Sequence, residues 1–565
     1  MIKSALQADI PVTDVASFVF SSGTPSSRES PQYFDAATPA KCFSLAQAEG
    51  YVKQIARGLE VLGLQPDDKV LLYSNNSLFF PVLLWGVLAG RFVFTAASPT
   101  ASVNELEYQL RDSGAKLLLA GPSQVSVALD AAARVGLPRD KVYLFCDPDD
   151  ASNYSSQSLP VWTQFWRPAA EVHTWSWRKI DTLDEAKDTT AIINYSSGTT
   201  GLPKGTEISH YNAVANSTQL LAARAIVSSD KKGRDRKERL DMSGERWLAP
   251  LPMYHAYGQT YYCLNAARAG AKVFIMQSFD VQKYLLYMDI YRITFMASVP
   301  AIMATLAKQS NASAYNLGAV ELVTSGSAPL SPELGRIIAG MYLRPGLGVK
   351  QGWGMTETTC SITTFAPDDE DDGRSIGYLV PNCAARIEPV EGRDFSGAAP
   401  RGVAVGEIWV AGPNVMKCYY KKPDETRETI VEDGGIRWLR TGDIGYFDER
   451  GRVYIVDRLK ELIKVKGLQV APAELEQYLL THPDVADAAV VGAKVNGGEY
   501  PRAFVVRKGG AVTDTELFDM IKAQFAPHKW LTGGVYFIDQ IPRTGSGKIM
   551  RRNLPTEAKG DRAKL

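Results

Sequence analysis

The stretch Tyr195-Ser-Ser-Gly-Thr-Thr-Gly-Leu-Pro-Lys-Gly-Thr206 constrains this chain more than any other. It is a run of small hydroxyl residues and glycines closed by a lysine, and it directly follows the apolar, strand-like Ala191-Ile-Ile-Asn194. A strand ending in such a loop can turn backbone N–H groups and hydroxyls toward a polyanion. Glycine lets the backbone come close, and lysine adds positive charge. The implied ligand is a nucleotide triphosphate. The loop is not a Walker A sequence, because Pro203 stands five residues after Gly198 and Gly205 is followed by Thr206 instead of Lys. Taken alone, the stretch also fits a linker rich in Ser, Thr and Gly.

Hydrophobic periodicity alternates along the first 190 residues. Ala46 to Leu62 has helical spacing, Lys69 to Tyr73 reads as a short strand, Val103 to Gly114 as a helix, and Lys116 to Ala120 as the next strand. Short apolar runs return at Lys272–Ile275, Phe295–Ser298 and Leu322–Ser325. This rhythm predicts an α/β fold with layered, largely parallel sheets, in which ligands sit at the C-terminal ends of strands. From about Asp457 a second, small α+β unit is expected, with strands at Val485–Val491 and Ala503–Val506 and a helix over Asp514–Phe525. Residues Ser228 to Glu245 are mostly charged and have no apolar face, so a solvated surface loop is expected there. Asp368 to Asp372 reads as a short acidic loop of the same kind.

Composition narrows the function classes. At 565 residues two or more domains are expected. The formal net charge is zero, which gives no support to nucleic-acid binding or a polybasic membrane anchor. The most apolar run, Leu78 to Gly90, is too short for a membrane span of about 20 residues and suits a buried core helix. No basic region followed by an apolar block opens the chain, so no secretory signal is expected. The six cysteines form no C-x-x-C pair and read as buried reduced thiols, and the five histidines have no metal-ligand spacing. The last residues, Ala563-Lys564-Leu565, are a close variant of the S-K-L peroxisomal address, which implies the peroxisomal import receptor as a partner.

Further patterned stretches follow the Ser/Thr/Gly loop in order: Pro252-Met-Tyr-His-Ala-Tyr-Gly258, Ser325-Gly-Ser-Ala-Pro-Leu330, Gly352-Trp-Gly-Met-Thr-Glu357 and Arg440-Thr-Gly-Asp443. Then come Asp457-Arg-Leu-Lys-Glu-Leu-Ile-Lys464, Lys466-Gly-Leu-Gln-Val-Ala-Pro-Ala-Glu-Leu-Glu476 and Pro542-Arg-Thr-Gly-Ser-Gly-Lys548. Together these resemble the signatures of the adenylate-forming superfamily, which holds acyl-CoA synthetases, 4-coumarate-CoA ligases, beetle luciferases and peptide-synthetase adenylation domains. The resemblance spans nearly the whole chain. It implies a large N-terminal domain (1–456), a hinge (457–460) and a mobile C-terminal lid (461–565). It also implies a two-step reaction. A carboxylate attacks the α-phosphate of ATP, giving an acyl-adenylate and pyrophosphate, and a thiol, usually that of coenzyme A, then displaces AMP.

By this resemblance Ser196, Ser197, Gly198, Thr199, Thr200 and Lys204 hold the β- and γ-phosphates. Glu357, with Thr200, holds Mg²⁺, a hard cation that takes oxygen ligands. Ser327, Ala328, Gly352, Trp353, Gly354, Met355 and Thr356 belong to the AMP site, with the aromatic face of Trp353 stacking on adenine where relatives usually carry Tyr. Asp443 bridges the two ribose hydroxyls, as a carboxylate can, and Arg458 adds a contact. Lys548 reaches from the lid to the α-phosphate, and Lys464 and Gln469 act with it. Lys460 is the hinge position, and Lys466, Gly467 and Leu468 face the site in the thiol step. The acyl pocket is bordered by His255, Tyr257, Gly258 and Gly326, and its aromatic residues favour an apolar acid, aryl or medium-chain. Read one by one, Glu357 is also compatible with a helix-start residue, Lys548 with an exposed loop lysine and His255 with a loop cap. Rival functions are a luciferase-like oxygenase, opposed by Ala256 where luciferases carry a second histidine, and a stand-alone enzyme that loads a carrier protein. A catalytically dead binding module is opposed by the retained Lys204, Glu357, Asp443 and Lys548.

Overall fold

The computed structural model describes residues 1–154, 159–196, 202–391, 395, 399–465, 468–495, 498–509, 512–544 and 547–554. Two seven-stranded sheets form the centre. One runs in the order Cys418–Tyr419, Lys204–Ser209, Thr190–Ser196, Val93–Ala97, Lys69–Tyr73, Leu117–Ala120 and Val142–Leu144, and is parallel from Thr190–Ser196 onward. The other runs Val349–Gln351, Leu322–Ser325, Phe295–Ser298, Arg246–Ala249, Lys272–Ile275, Pro31–Asp35 and Cys42–Ser44, with one antiparallel pair at its far edge. The expected layered α/β fold is therefore present, and the strands at Lys69–Tyr73, Lys272–Ile275, Phe295–Ser298 and Leu322–Ser325 have the expected bounds.

Strand alternation sorts the cores. Along Lys69–Tyr73, Val70 and Leu72 face one cluster while Leu71 and Tyr73 face another, because successive side chains leave opposite faces of a strand. The first cluster also takes Trp247, Val273 and Phe295 from the second sheet, so the two sheets share a core. The expected buried helix is Phe80–Ala89, and all ten of its residues are buried. Its Trp85 indole N–H donates to the Cys263 carbonyl at 2.9 Å, tying the helix to the segment that follows His255. A third sheet, antiparallel, contains Ile436–Phe447 and Val453–Arg458.

The C-terminal unit has its own core, drawn from Ile463 to Phe537. It holds the hairpin Ile463–Val465/Leu468–Val470, the helix Pro472–Leu479, the long pair Val485–Val495/Gly498–Arg507 and the helix Asp514–Gln524. Among the described residues no helix is long and apolar enough to cross a membrane. The six cysteines are free, and Cys42 and Cys418 are half-buried where full burial was expected.

One expectation is overturned. Residues 228–245 are not a solvated loop, since Lys231–Ser243 is an α-helix. The Asp230 side chain caps it by accepting from the Gly233 N–H. Lys231–Asp235 and Lys237–Asp241 pair at i,i+4. The helix docks through charge in place of apolar contact: Arg236 makes two hydrogen bonds to Asp368 at 2.8 and 3.0 Å, and Arg239 two to Glu321 at 2.7 and 3.0 Å. Asp368 belongs to the acidic loop, so two charged stretches that read as separate surface loops are partners.

Candidate active site

The Ser/Thr/Gly stretch joins two antiparallel strands. Ser196 ends one strand opposite Lys204, which begins the next. Residues 197–201 of that stretch, including the predicted phosphate ligands Ser197, Gly198, Thr199 and Thr200, lie outside the described residues. Its two flanks are pinned to the helix Val103–Ser113. The Tyr195 hydroxyl donates to Asp112 at 2.7 Å, and the Tyr108 hydroxyl to the Pro203 carbonyl at 2.8 Å. The Lys204 ammonium lies 4.9 Å from the Tyr419 ring centroid. The Tyr419 hydroxyl in turn donates to Glu357 Oε1 at 2.7 Å. Two side chains separated by more than 150 residues are thus linked through one tyrosine.

Glu357 is buried, on the tight turn Thr356–Thr358. The backbone around it has no slack. A Cβ on Gly354 would fall 1.7 Å from the Cys360 carbonyl oxygen, so only glycine fits there. Thr359 has φ 67°, a left-handed conformation that a β-branched residue rarely adopts. Three buried asparagines hold this strained segment. The Thr359 hydroxyl donates to the Asn414 carbonyl, and Asn414 Nδ2 donates to the carbonyls of Thr358 and Ser361. Asn216 makes bonds of 2.7 and 3.0 Å to the Ser361 backbone, and Asn212 holds the carbonyls of Pro413 and Val415. Sequence reasoning missed these residues. The available signal was polar Asn212, Asn216 and Gln219 on one face of the otherwise buried helix His210–Arg224.

Asp443 is the hub of the predicted nucleotide pocket. Its strand pairs with Val453–Arg458 in a register that sets Arg458 opposite it, and Arg458 Nε meets Asp443 Oδ1 at 2.8 Å. The Trp353 indole N–H donates to Asp443 Oδ2, also at 2.8 Å. Tryptophan at this position therefore orients the carboxylate, a role that stacking alone does not supply. Ser327, another predicted AMP contact, is exposed with φ 71°, and such strained residues cluster at functional sites.

Around the predicted acyl pocket, a Cβ on Gly326 would lie 3.2 Å from Tyr257, and the Tyr257 hydroxyl is 3.2 Å from the Thr324 hydroxyl. Tyr257 meets Tyr261 edge-on, with ring centroids 4.8 Å apart. His255 caps the short helix Ala256–Gly258, its Nδ1 accepting from the Tyr257 N–H. Burial lowers its pKa to about 4, so the ring is neutral near pH 7 with its proton on Nε2.

Lys548, in the C-terminal unit, is half-buried. Gly547 packs on the large domain, where an added Cβ would lie 3.2 Å from the Ala301 Cβ. Burial, then the nearby Arg458, lower the Lys548 pKa to about 8, while Glu461 and Asp443 oppose that shift. The other lid candidates are not drawn in. Lys460 and Lys464 are exposed, Lys464 pairs with Gln469 across a small hairpin, and Leu468 is half exposed. Lys466 and Gly467 lie outside the described residues.

Among the described residues no group of three His, Cys, Asp or Glu could hold a metal ion. Glu357 alone fits Mg²⁺ only as that ion is commonly bound, by one or two carboxylates plus substrate phosphates.

Residues 29–420 match the AMP-binding enzyme family, and residues 474–548 match the AMP-binding enzyme C-terminal domain. The chain belongs to this family of adenylate-forming enzymes. It is 32% identical over 554 residues, 97% of each chain, to the phenylacetyl-CoA ligase epaB of Aspergillus niger. It is also 32% identical over 550 residues, 96% of this chain and 93% of the relative, to the peroxisomal OPC-8:0-CoA ligase 1 of Arabidopsis thaliana. The crystal structure of ATP-bound MatB from Rhodopseudomonas palustris superposes with a TM-score of 0.77 at 26% identity, covering 95% of this chain and 97% of that one. These relatives are consistent with an AMP-forming acid–thiol ligase.

Replacing Trp353 with Phe keeps the ring and removes the N–H to Asp443. Losing one hydrogen bond to a charged partner costs about 1.5 kcal/mol or more. The KM for ATP in Trp353→Phe should therefore rise roughly tenfold with kcat little changed, and steady-state kinetics check this.

Proposed function

We propose that this protein is an ATP-dependent acyl- or aryl-CoA ligase acting on an apolar carboxylic acid. The observation that carries the reading is the position of Lys548, half-buried in the C-terminal unit and close enough to feel the charges of Arg458 and Asp443. A lysine there has a use only where negative charge develops between the two domains. In the first step an oxygen of the acid attacks the α-phosphorus, and the bond to the β-phosphate breaks. Lys548 offsets charge at the α-phosphate, while Lys204 and the loop 196–200 hold the departing pyrophosphate. Glu357 and Thr200 would hold Mg²⁺, which supplies charge neutralisation on the phosphates. Asp443, oriented by Trp353 and Arg458, accepts from the ribose hydroxyls. In the second step the lid, residues 461–565, turns about 457–460 and presents Lys466–Leu468. The coenzyme A sulfur attacks the acyl carbon, the bond to the phosphate oxygen breaks, and AMP leaves. Neither step needs a covalent nucleophile from the enzyme, so catalysis is positioning and charge neutralisation.

The neutral ring of His255 and the tyrosines 254, 257 and 261 suit an aryl or medium-chain acid. Supporting this choice, one relative is a phenylacetyl-CoA ligase. The tail Ala563-Lys564-Leu565 lies outside the described residues, and a peroxisomal site of action rests on that sequence together with one peroxisomal relative.

AMP release with ATP and Mg²⁺, over benzoates, cinnamates, phenylacetate and fatty acids, tests the reaction. Strong stimulation by coenzyme A for one class is expected, whereas acid-dependent pyrophosphate exchange that coenzyme A leaves unchanged would favour carrier loading. Lys548 adds a pH signature. Its charge is present below pH 8 and lost above it, so kcat/KM for ATP should fall about tenfold per pH unit on the alkaline side. Lys548→Arg, which stays protonated, should abolish that limb. A fluorescently tagged protein with the tag at its N-terminus should be punctate, and should become cytosolic when residues 563–565 are deleted.

A further inference from the structure

The strand Val453–Arg458 carries two adjacent charges to opposite sides. Arg458 turns to Asp443 in the nucleotide pocket. Asp457 turns to the lid, where its Oδ2 accepts from the Ala473 N–H at 3.2 Å. Ala473 lies in the first turn of the lid helix Pro472–Leu479. That helix lacks a cap of its own, because Ala471 at the cap position makes no side-chain hydrogen bond and Pro472 has no N–H to offer. Helix starts need an acceptor for their free N–H groups and favour a carboxylate there. Here the acceptor is Asp457, at the start of the hinge and on the strand Val453–Arg458.

We propose that Asp457 is a positioning residue that caps the lid helix across the hinge and so holds the lid in the orientation that brings Lys548 to the nucleotide pocket. This rests on the two-position lid of the reaction given above. The surrounding charges belong to the lid. Arg551 is ion-paired to Glu461 at 3.1 Å and to Glu476 at 3.0 Å, and Glu476 also accepts from the Val490 N–H at 2.7 Å. Those contacts lie within the lid and travel with it, whereas the Asp457–Ala473 bond spans 457–460 and must break when the lid turns. The latch is weak by construction. Burial pushes the Asp457 carboxyl up to about 7 against the pull of Arg551, so turning the carboxylate out to water recovers much of the lost bond. A single cap of this kind biases two lid positions without trapping either.

Amide hydrogen exchange on the full-length protein without ligand tests this and needs no identified acid. In Asp457→Ala, exchange should rise at least threefold in Lys548–Leu554 and in Pro300–Leu306, the two faces that meet. It should stay unchanged in the lid hairpin Val485–Val495/Gly498–Arg507. Asp457→Asn keeps the shape and one acceptor oxygen, and should give a smaller rise in the same two segments. With an acid that the wild type activates, pyrophosphate exchange should drop at least threefold in Asp457→Ala, while thioester formation from supplied acyl-adenylate stays within twofold. Exchange within twofold of wild type at both faces in both variants would overturn the proposal. So would a parallel rise in the hairpin, which would make Asp457 a residue of lid folding. Failure of every acid in the AMP-release assay would instead count against the ligase reading, leaving the exchange result to stand by itself.

Discussion

The ion pair between Asp443 and Arg458 organises the candidate site. Two antiparallel strands bring an acid and a base face to face, with the acid almost wholly buried. A buried pair is costly to form, because both groups give up water, and it holds only where further donors complete the shell. Trp353 is that further donor on the second carboxylate oxygen. The glycine after it admits no side chain, the turn carrying Glu357 follows at once, and three asparagines fasten the turn from behind. Each element of the nucleotide pocket is thus fixed by reference to one carboxylate.

Arg458 and Asp457 are neighbours on one strand, one paired with Asp443 and the other bonded to the first turn of the helix Pro472–Leu479. Burial, then the neighbouring Arg458, opposes the Lys548 charge, while Glu461 and Asp443 favour it. The ammonium is therefore held near the balance between its charged and neutral forms. Added negative charge from a nucleotide would tip it firmly toward the charged form, since a nearby opposite charge favours ionisation.

Much of this was legible in the residues. Strands such as Lys69–Tyr73 and Leu322–Ser325 announce themselves because they are short, apolar and bounded by turns, and parallel sheets covered on both faces leave that signature. Of the motif residues, Asp443, Arg458 and Trp353 are bonded together, and Lys548 lies close enough to feel the charges of Arg458 and Asp443. The helix Lys231–Ser243 was not legible, because periodicity detects apolar faces and this helix docks by arginine–carboxylate pairs whose partners lie more than 80 residues away. Asn212, Asn216 and Asn414 were missed for a related reason. Their function is to satisfy the backbone of a distant segment, and a residue's type does not say which carbonyl it will meet. Lys464 and Lys460 carry family motif positions yet stand exposed, since sequence position does not specify lid orientation.

The helix Phe80–Ala89 has a consequence for how the chain is made. It is apolar on every side, so no orientation on a surface suits it, and the carbonyl that receives its Trp85 N–H lies 178 residues downstream. At synthesis rates of about 5–20 residues per second, that partner leaves the ribosome roughly 10–35 s after the helix does. Throughout that interval only one side of the helix can be covered, by the earlier helix Leu45–Val61, whose Ile55 packs against Gly86. The side that the second sheet later covers stays open until that sheet has been made.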